Sequence, residues 1–140
     1  MKIMENLYTL IIFTENTAGM LSTVSAVFTR RQVNIESLTA CASSTPGVHK
    51  YTLTCNCTEE MVVMLTKQIE KKVDVLQCNY YRENEVYILE TALYKLSSNI
   101  VMESKDVSRM VRMHDARIVE VNPKYTIVEK TGMPKDIMSL

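Results

Sequence analysis

The stretch Phe13–Leu38 reads FTENTAGMLSTVSAVFTRRQVNIESL and joins a strand end, a polar loop, a helix and the start of a second strand. The run before it, residues 7–13, is short, apolar and rich in β-branched residues, which is typical of a central strand. From Met20 onward, apolar residues recur every three or four positions, which predicts an amphipathic helix of about three turns. This order indicates an α+β unit in which the helix covers one face of a sheet.

The polar loop in this stretch has features of a ligand-binding turn. Asn16 and Thr17 carry side-chain oxygens that can cap the first turn of the helix. Gly19 has no Cβ, so the backbone can bend sharply there and a ligand can approach the amides. A helix start carries partial positive charge, which suits a carboxylate or a phosphate. A plain capped turn without a ligand has the same pattern, and both interpretations stay open.

The pattern continues into a complete βαββαβ unit over residues 7–82. Further strands are expected at residues 33–42, 48–57 and 73–82. In the third strand, alternation places on the apolar face Tyr51, Leu53, Cys55 and Cys57. Thr58 is expected to cap a second helix, with Lys71 and Lys72 in its last turn and a buried stripe of Met61 or Val62, Leu65 and Ile69. The order predicts a ferredoxin-like fold, a four-stranded antiparallel sheet with two helices on one face.

After a polar boundary at residues 82–85 the pattern restarts. Strands are expected at residues 86–96, 116–121 and 124–130, with a break at Ser97–Asn99, a helix from about Ser104 and another opening at Asp136. This βαββ order is an incomplete second copy of the ferredoxin-like unit. We therefore predict two domains, residues 1–83 and 84–140, and expect the natural sequence to continue past Leu140. The second domain is expected to be the less ordered one.

Composition excludes several classes of function. The 140 residues carry 16 basic and 16 acidic side chains, divided evenly between the two halves. No basic tail or stripe is present to drive sequence-independent binding to nucleic acid or to an anionic membrane. The apolar run near the N-terminus is too short, and too broken by Thr9, for a signal peptide or a membrane span. We expect a soluble, cytoplasmic protein.

Catalytic and metal-binding motifs are missing from the sequence. No glycine-rich nucleotide motif, P-loop or zinc-protease motif is found, and the two histidines, His49 and His114, fall in different halves. Cys55 and Cys57 have C-x-C spacing inside a strand instead of the C-x2-C turns of zinc sites. We expect the four cysteines to be buried, inert thiols; a small enzyme or thiol–metal protein that uses Cys55 and Cys57 is the alternative. No catalytic residue and no metal ligand are predicted.

Another alternative is an RNA-binding module, because RNA-recognition domains share the βαββαβ order. Such domains need aromatic and basic residues on the open sheet face. The third strand offers Lys50, Thr52, Thr54 and Asn56 on that face, without an aromatic residue. The pattern therefore favours a chain that does not bind nucleic acid.

The sequence closely resembles the small regulatory subunits of acetolactate synthase (acetohydroxyacid synthase), which begin with an ACT domain. The resemblance rests on Glu15-Asn16, Gly19, Leu21, Phe28, Arg31 and the string Asn34-Ile35-Glu36-Ser37-Leu38-Thr39. It continues through residues 68–76, 92–96, 117–121 and Tyr125, and so covers nearly the whole chain.

The resemblance implies a non-catalytic chain that activates a large catalytic subunit. Thiamine diphosphate, a flavin (FAD) and magnesium are expected on that partner, with no cofactor in this chain. It also implies feedback inhibition by a branched-chain amino acid, usually valine, bound where the ACT domains of a homodimer meet. A stand-alone ACT-type amino-acid sensor is the alternative within this class.

The resemblance also implies an effector site. Transferred by position, the loop side consists of Asn16, Gly19, Met20 and Leu21, and the strand side of Asn34 and Ile35. Amides at the helix start suit the carboxylate of an amino acid. A side-chain amide oxygen suits its ammonium group, and Leu21 or Ile35 suits its apolar side chain.

Two residues depart from the family pattern. Gln32 stands where the family commonly has glycine before the Asn34 string. A helix end there often needs a positive φ, which Gln adopts at a cost of about 1 kcal/mol. Met20 stands where a smaller residue is usual, which puts the pocket volume and the choice of effector in question.

Overall fold

The computed structural model describes residues 4–103 and 105–139 of the chain. It forms two compact units that divide between Tyr87 and Ile88. The boundary expected from the sequence, after residue 83, falls four residues earlier, where a short 3-10 turn spans Glu83–Glu85.

The first unit has the predicted ferredoxin-like architecture. Its elements are β1 (Asn6–Glu15), α1 (Met20–Arg30), β2 (Ile35–Ala42), β3 (Val48–Cys57), α2 (Glu59–Glu70) and β4 (Val75–Arg82). The strand order is β2-β3-β1-β4, and every pair is antiparallel. β1 therefore lies in the middle of the sheet, as its apolar sequence predicts, and β2 is an edge strand.

The core of the first unit lies between the sheet and the two helices. Alternate residues of β1 and β3 point into it, and each helix contributes one stripe. The α1 and α2 stripes contain Met20, Val24, Val27, Phe28, Val62, Leu65 and Ile69. Of the alternatives Met61 and Val62, it is Val62 that is fully buried. Leu21 belongs to the apolar pattern of α1, but its side chain is 47% exposed.

The two helix starts differ. Thr58 caps α2 as predicted, because its Oγ1 accepts a hydrogen bond from the Met61 N–H at 3.2 Å. The prediction that Asn16 or Thr17 caps α1 is wrong. The N-cap of α1 is Gly19, with φ of 85° and no side-chain hydrogen bond, because a capping side chain must sit at the N-cap itself and glycine has none.

The C-terminal end of α1 confirms the expected strain at Gln32, whose φ is 55°. The N–H of Gln32 donates to the Thr29 carbonyl at 3.1 Å, and the N–H of Val33 donates to the Phe28 carbonyl at 3.0 Å. These two bonds form a Schellman motif, which requires a left-handed residue at the position of Gln32. α2 ends at Glu70, so Lys71 and Lys72 lie just beyond the helix and not in its last turn.

The second unit has three strands in the order β5-β7-β6, all antiparallel. Its elements are β5 (Glu90–Ser97), α3 (Ser98–Glu103), α4 (Lys105–Met113), β6 (Arg117–Val121), β7 (Tyr125–Gly132) and α5 (Pro134–Ser139). This is the predicted incomplete copy of the ferredoxin-like unit, with three strands in place of four.

Two boundaries in the second unit differ most from the prediction. β5 begins at Glu90, four residues after the expected start. The expected break at residues 97–99 is instead the start of α3, because Ser98 is buried and its hydroxyl bonds to the Asn122 carbonyl and the Thr126 hydroxyl. Those partners are more than 20 residues away in sequence, so local composition cannot reveal them.

Candidate functional site

The loop between β1 and α1 presents unpartnered amides to solvent. The first N–H of this region that bonds within the helix belongs to Thr23, which donates to the Gly19 carbonyl at 3.1 Å. Among the described residues, the N–H groups of Met20, Leu21 and Ser22 have no hydrogen-bond acceptor. The left-handed Gly19 turns the chain so that these three amides begin the helix together. They form an uncapped helix start that suits an anionic group.

Backbone contacts fix the position of this loop. The Glu15 N–H donates to the Asp74 carbonyl at 2.9 Å, and the Asn16 N–H donates to the Gly47 carbonyl at 3.2 Å. The loop is thus attached to the turns that precede β3 and β4. The Asn16 side chain is exposed and makes no hydrogen bond within the described part of the chain. Its amide is therefore available to a ligand.

The two apolar residues of the loop have different environments. The Met20 side chain is only 4% exposed and packs in the core, so this residue offers the site its backbone N–H. The Leu21 side chain is half-exposed beside the free amides. Leu21 is therefore the residue on the loop side that can contact an apolar ligand group.

The strand side of the site begins just after the Gln32 turn. Asn34 is exposed, and its Nδ2 donates to the Glu36 Oε1 at 3.4 Å, which leaves its own Oδ1 free to accept. Ile35 is partly buried against the core. Glu36 is the additional residue of a β-bulge, because Ile35 pairs with Cys55 and Ser37 pairs with Thr54. Glu36 is not among the site residues predicted from the sequence. The feature that could have indicated it is a carboxylate directly after the predicted site residues Asn34 and Ile35.

The structure does not bring the two sides together within one chain. Through β3, Ile35 aligns with Tyr8 near the start of β1, whereas the loop follows Glu15 at the other end of β1. Tyr8 and Thr14 are six residues apart along β1, which at about 3.3 Å per residue is roughly 20 Å. One effector of amino-acid size cannot span both sides of a single protomer.

The cysteines divide into buried and exposed thiols. Cys55, Cys57 and Cys78 are buried, whereas Cys41 on β2 is exposed, so the expectation of four buried thiols is wrong for Cys41. Cys41 pairs with Lys50, so its side chain lies on the sheet face that carries no helices, and this explains its exposure. Burial raises the pKa of Cys55 and of Cys78 to about 12, which keeps both thiols protonated at neutral pH.

The described residues also bear on two other kinds of site. No cluster of three or more His, Cys, Asp or Glu side chains that could hold a metal ion occurs among residues 4–103 and 105–139. Within the same ranges, no helix is long and apolar enough to cross a membrane.

Comparison with known proteins assigns both units to one family. The model of the acetohydroxyacid synthase (AHAS) small subunit-like ACT domain matches residues 10–77, and the model of the small subunit of acetolactate synthase matches residues 89–140. A probable acetolactate synthase small subunit from Methanothermobacter thermautotrophicus is 30% identical over 118 residues, which cover 84% of this chain and 70% of that protein. The chain belongs to the acetolactate synthase small-subunit family. This family consists of regulatory, not catalytic, subunits.

Other relatives agree with this assignment. The acetolactate synthase small subunit of Bacillus subtilis is 30% identical over 126 residues, covering 89% of this chain and 73% of that protein. A crystal structure of the acetolactate synthase small subunit from Thermotoga maritima matches with a TM-score of 0.83 at 23% identity, covering 96% of this chain and 83% of that chain. The structural match supports the α+β fold with its ACT-type first unit.

Proposed function

We propose that this chain activates the catalytic subunit of acetolactate synthase and carries feedback inhibition by a branched-chain amino acid, with valine as the first candidate. The chain acts in the cytoplasm as a homodimer. The catalytic partner supplies thiamine diphosphate, FAD and magnesium. Membership of the small-subunit family supports an acetolactate synthase catalytic subunit as the partner. The geometry of the ACT unit supports a branched-chain amino acid as the effector.

The observation that carries the proposal is the uncapped start of α1. Three adjacent N–H groups, those of Met20, Leu21 and Ser22, lack an acceptor, and no side chain caps them. A helix start also carries a partial positive charge. The carboxylate of a free amino acid has the charge and the acceptor oxygens that this turn lacks.

The remaining parts of the ligand match the exposed side chains. The ammonium group needs acceptors, and the free Oδ1 of Asn34 and the adjacent carboxylate of Glu36 provide them, with the Asn16 amide on the loop side. A branched aliphatic side chain fits against Leu21 and Ile35, which are partly accessible apolar residues. The expected site thus gains one residue, Glu36.

Two chains complete the site. β2 is an edge strand with free backbone groups, and Leu38 on its helix-facing side is 38% exposed. If the β2 strands of two chains pair antiparallel about a two-fold axis, the Asn34 end of each β2 lies at the end of the sheet that carries its partner's loop. This arrangement closes the gap of roughly 20 Å that separates the two sides within one chain.

Mixing two variants tests this arrangement directly. In Asn16→Ala and Asn34→Ala homodimers both sites lack one polar contact, and we expect valine to bind about tenfold more weakly, because a hydrogen bond to a charged group contributes about 1.5–3 kcal/mol. In a heterodimer of the two variants, one site carries both substitutions and the other carries neither. Isothermal titration of the refolded mixture should therefore recover wild-type affinity at about one quarter of the sites, since half of the dimers are mixed.

Two results would contradict the proposal. If valine, leucine and isoleucine all fail to bind the wild-type chain, it has no effector of this class. If the mixture of variants recovers no tight sites although heterodimers form, the two sides do not belong to one site shared between chains.

A further inference from the structure

A groove between α1 and α2 concentrates positive charge on the first unit. It encloses about 470 Å³ and is lined by Val27, Arg30, Arg31, Gln68, Lys71 and Lys72. We refer to it as the basic groove. Four of its six lining residues are cationic, although the whole chain has a formal net charge of zero. The positive charge is therefore local to this groove.

The four cations have no carboxylate partners among the described residues. Elsewhere in the chain, Arg82 pairs with Glu59 and Glu85, and Arg117 pairs with Glu129. The cations of the basic groove are thus left to interact with solvent or with a ligand.

The helix dipole does not account for this cluster. A cation near a helix C-terminus is favourable, and Arg30 and Lys71 each occupy such a position. However, α1 follows β1 and α2 follows the antiparallel strand β3, so the two helices run in opposite directions across the sheet. The positions of the helix ends therefore do not by themselves bring the two pairs together. The long side chains of all four residues reach the one groove between α1 and α2.

We propose that the basic groove binds a compact anion with two or more phosphate groups. Its volume lies within the range of about 300–1,000 Å³ that is typical of small-molecule sites. Arginine presents a planar fork of donors that matches phosphate oxygens, and lysine adds a mobile charge. No aromatic side chain lines the groove, so the recognised part of the ligand is the phosphate and not a nucleobase. This site is separate from the proposed effector site and does not depend on it.

Isothermal titration of the full chain with inorganic pyrophosphate tests the proposal. The test variant is Arg30→Gln/Lys71→Gln. The matched control is Lys105→Gln/Arg109→Gln, which removes the same charges from another basic depression in the second unit. All four residues are exposed, so both variants should fold. Arg30 and Lys71 lie at helix C-termini, where a cation is favourable, so thermal unfolding should show a slightly lower midpoint for the test variant and checks that both variants are folded at the assay temperature.

We expect pyrophosphate to bind the wild-type chain and the control with the same affinity. The test variant should bind at least tenfold more weakly, because it loses two charge-assisted contacts. Wild-type binding should weaken at high salt, since the Debye length falls from about 10 Å at 0.1 M to about 3 Å at 1 M. Binding should persist in Asn34→Ala, which affects only the effector site.

Three outcomes would overturn the proposal. The first is that the wild-type chain releases no heat with pyrophosphate at low salt. The second is that both double variants weaken binding equally, which would indicate general attraction without a site. The third is that the test variant binds pyrophosphate like the wild type but loses affinity for the catalytic subunit, which would make the basic groove a docking surface for an acidic protein.

Discussion

Replacing Gln32 with glycine should stabilise the first unit. Gln32 holds a φ of 55° at the C-terminal end of α1, and this left-handed conformation costs a residue with a Cβ about 1–2 kcal/mol. Glycine adopts it freely but loses about 0.5–1 kcal/mol more conformational entropy on folding. The Gln32 side chain is exposed and makes no hydrogen bond within the described residues, so its removal forfeits no such contact.

The balance of these terms predicts that Gln32→Gly raises the free energy of unfolding by about 0.5–1 kcal/mol. The backbone bonds from Gln32 to Thr29 and from Val33 to Phe28 remain in place. For a unit of this size, such a gain raises the unfolding midpoint by a few degrees. Urea unfolding, with hydrogen exchange of the β1 and β3 amides as the readout, measures the effect in the first unit alone.

The control is Gln32→Ala, which removes the same side chain but keeps the Cβ. It should leave stability unchanged within about 0.5 kcal/mol, since the left-handed strain persists. The reasoning is refuted if Gln32→Gly destabilises the unit, or if Gln32→Ala stabilises it equally.

Three further predictions concern the helix cap and the thiols. Thr58→Ala removes the acceptor of the Met61 N–H and should lower the free energy of unfolding by about 1 kcal/mol, measured by urea unfolding. Thr58→Ser keeps a hydroxyl acceptor and should retain most of the stability that the cap contributes. At pH 8, iodoacetamide should label Cys41 in the folded protein and leave Cys55 and Cys78 unmodified, as mass spectrometry can show; rapid labelling of either buried thiol would contradict their burial. In the folded protein the pKa of both thiols is raised from 9.0 to about 12. Their contribution to the free energy of unfolding is therefore complete below pH 9 and is lost as the pH rises toward 12, and the urea midpoint should fall in that window. In Cys55→Ala/Cys78→Ala this fall should be smaller.

Periodicity in the sequence predicts most of the first unit because its buried faces repeat every two residues in strands and every three or four in helices. β3 has the predicted bounds, and α1 begins at the predicted Met20. The errors occur at element ends. Val33 was predicted to begin β2, but its N–H completes the Schellman motif of α1. Val73 was predicted to begin β4, but it lies in a turn and is 97% exposed.

The candidate site shows a second limit of prediction from the sequence. Residue types locate the free amides near Gly19 and the polar group at Asn34, since each depends on local sequence. The distance between these two groups depends on strand register, which joins Ile35 to Cys55 and Cys55 to Tyr8. The role of Glu36 depends on a bulge in that register. Neither feature follows from one strand read by itself.

We propose that this chain regulates a catalytic subunit through an amino acid bound at its ACT unit. The most direct test is acetolactate formation by the purified catalytic subunit from the same organism, with and without this chain, across a valine titration. We predict that the chain raises the rate, that valine reverses the rise, and that the Asn34→Ala chain raises the rate but requires at least tenfold more valine for reversal. An unchanged rate on adding the chain, or equal sensitivity of the variant to valine, would contradict the account.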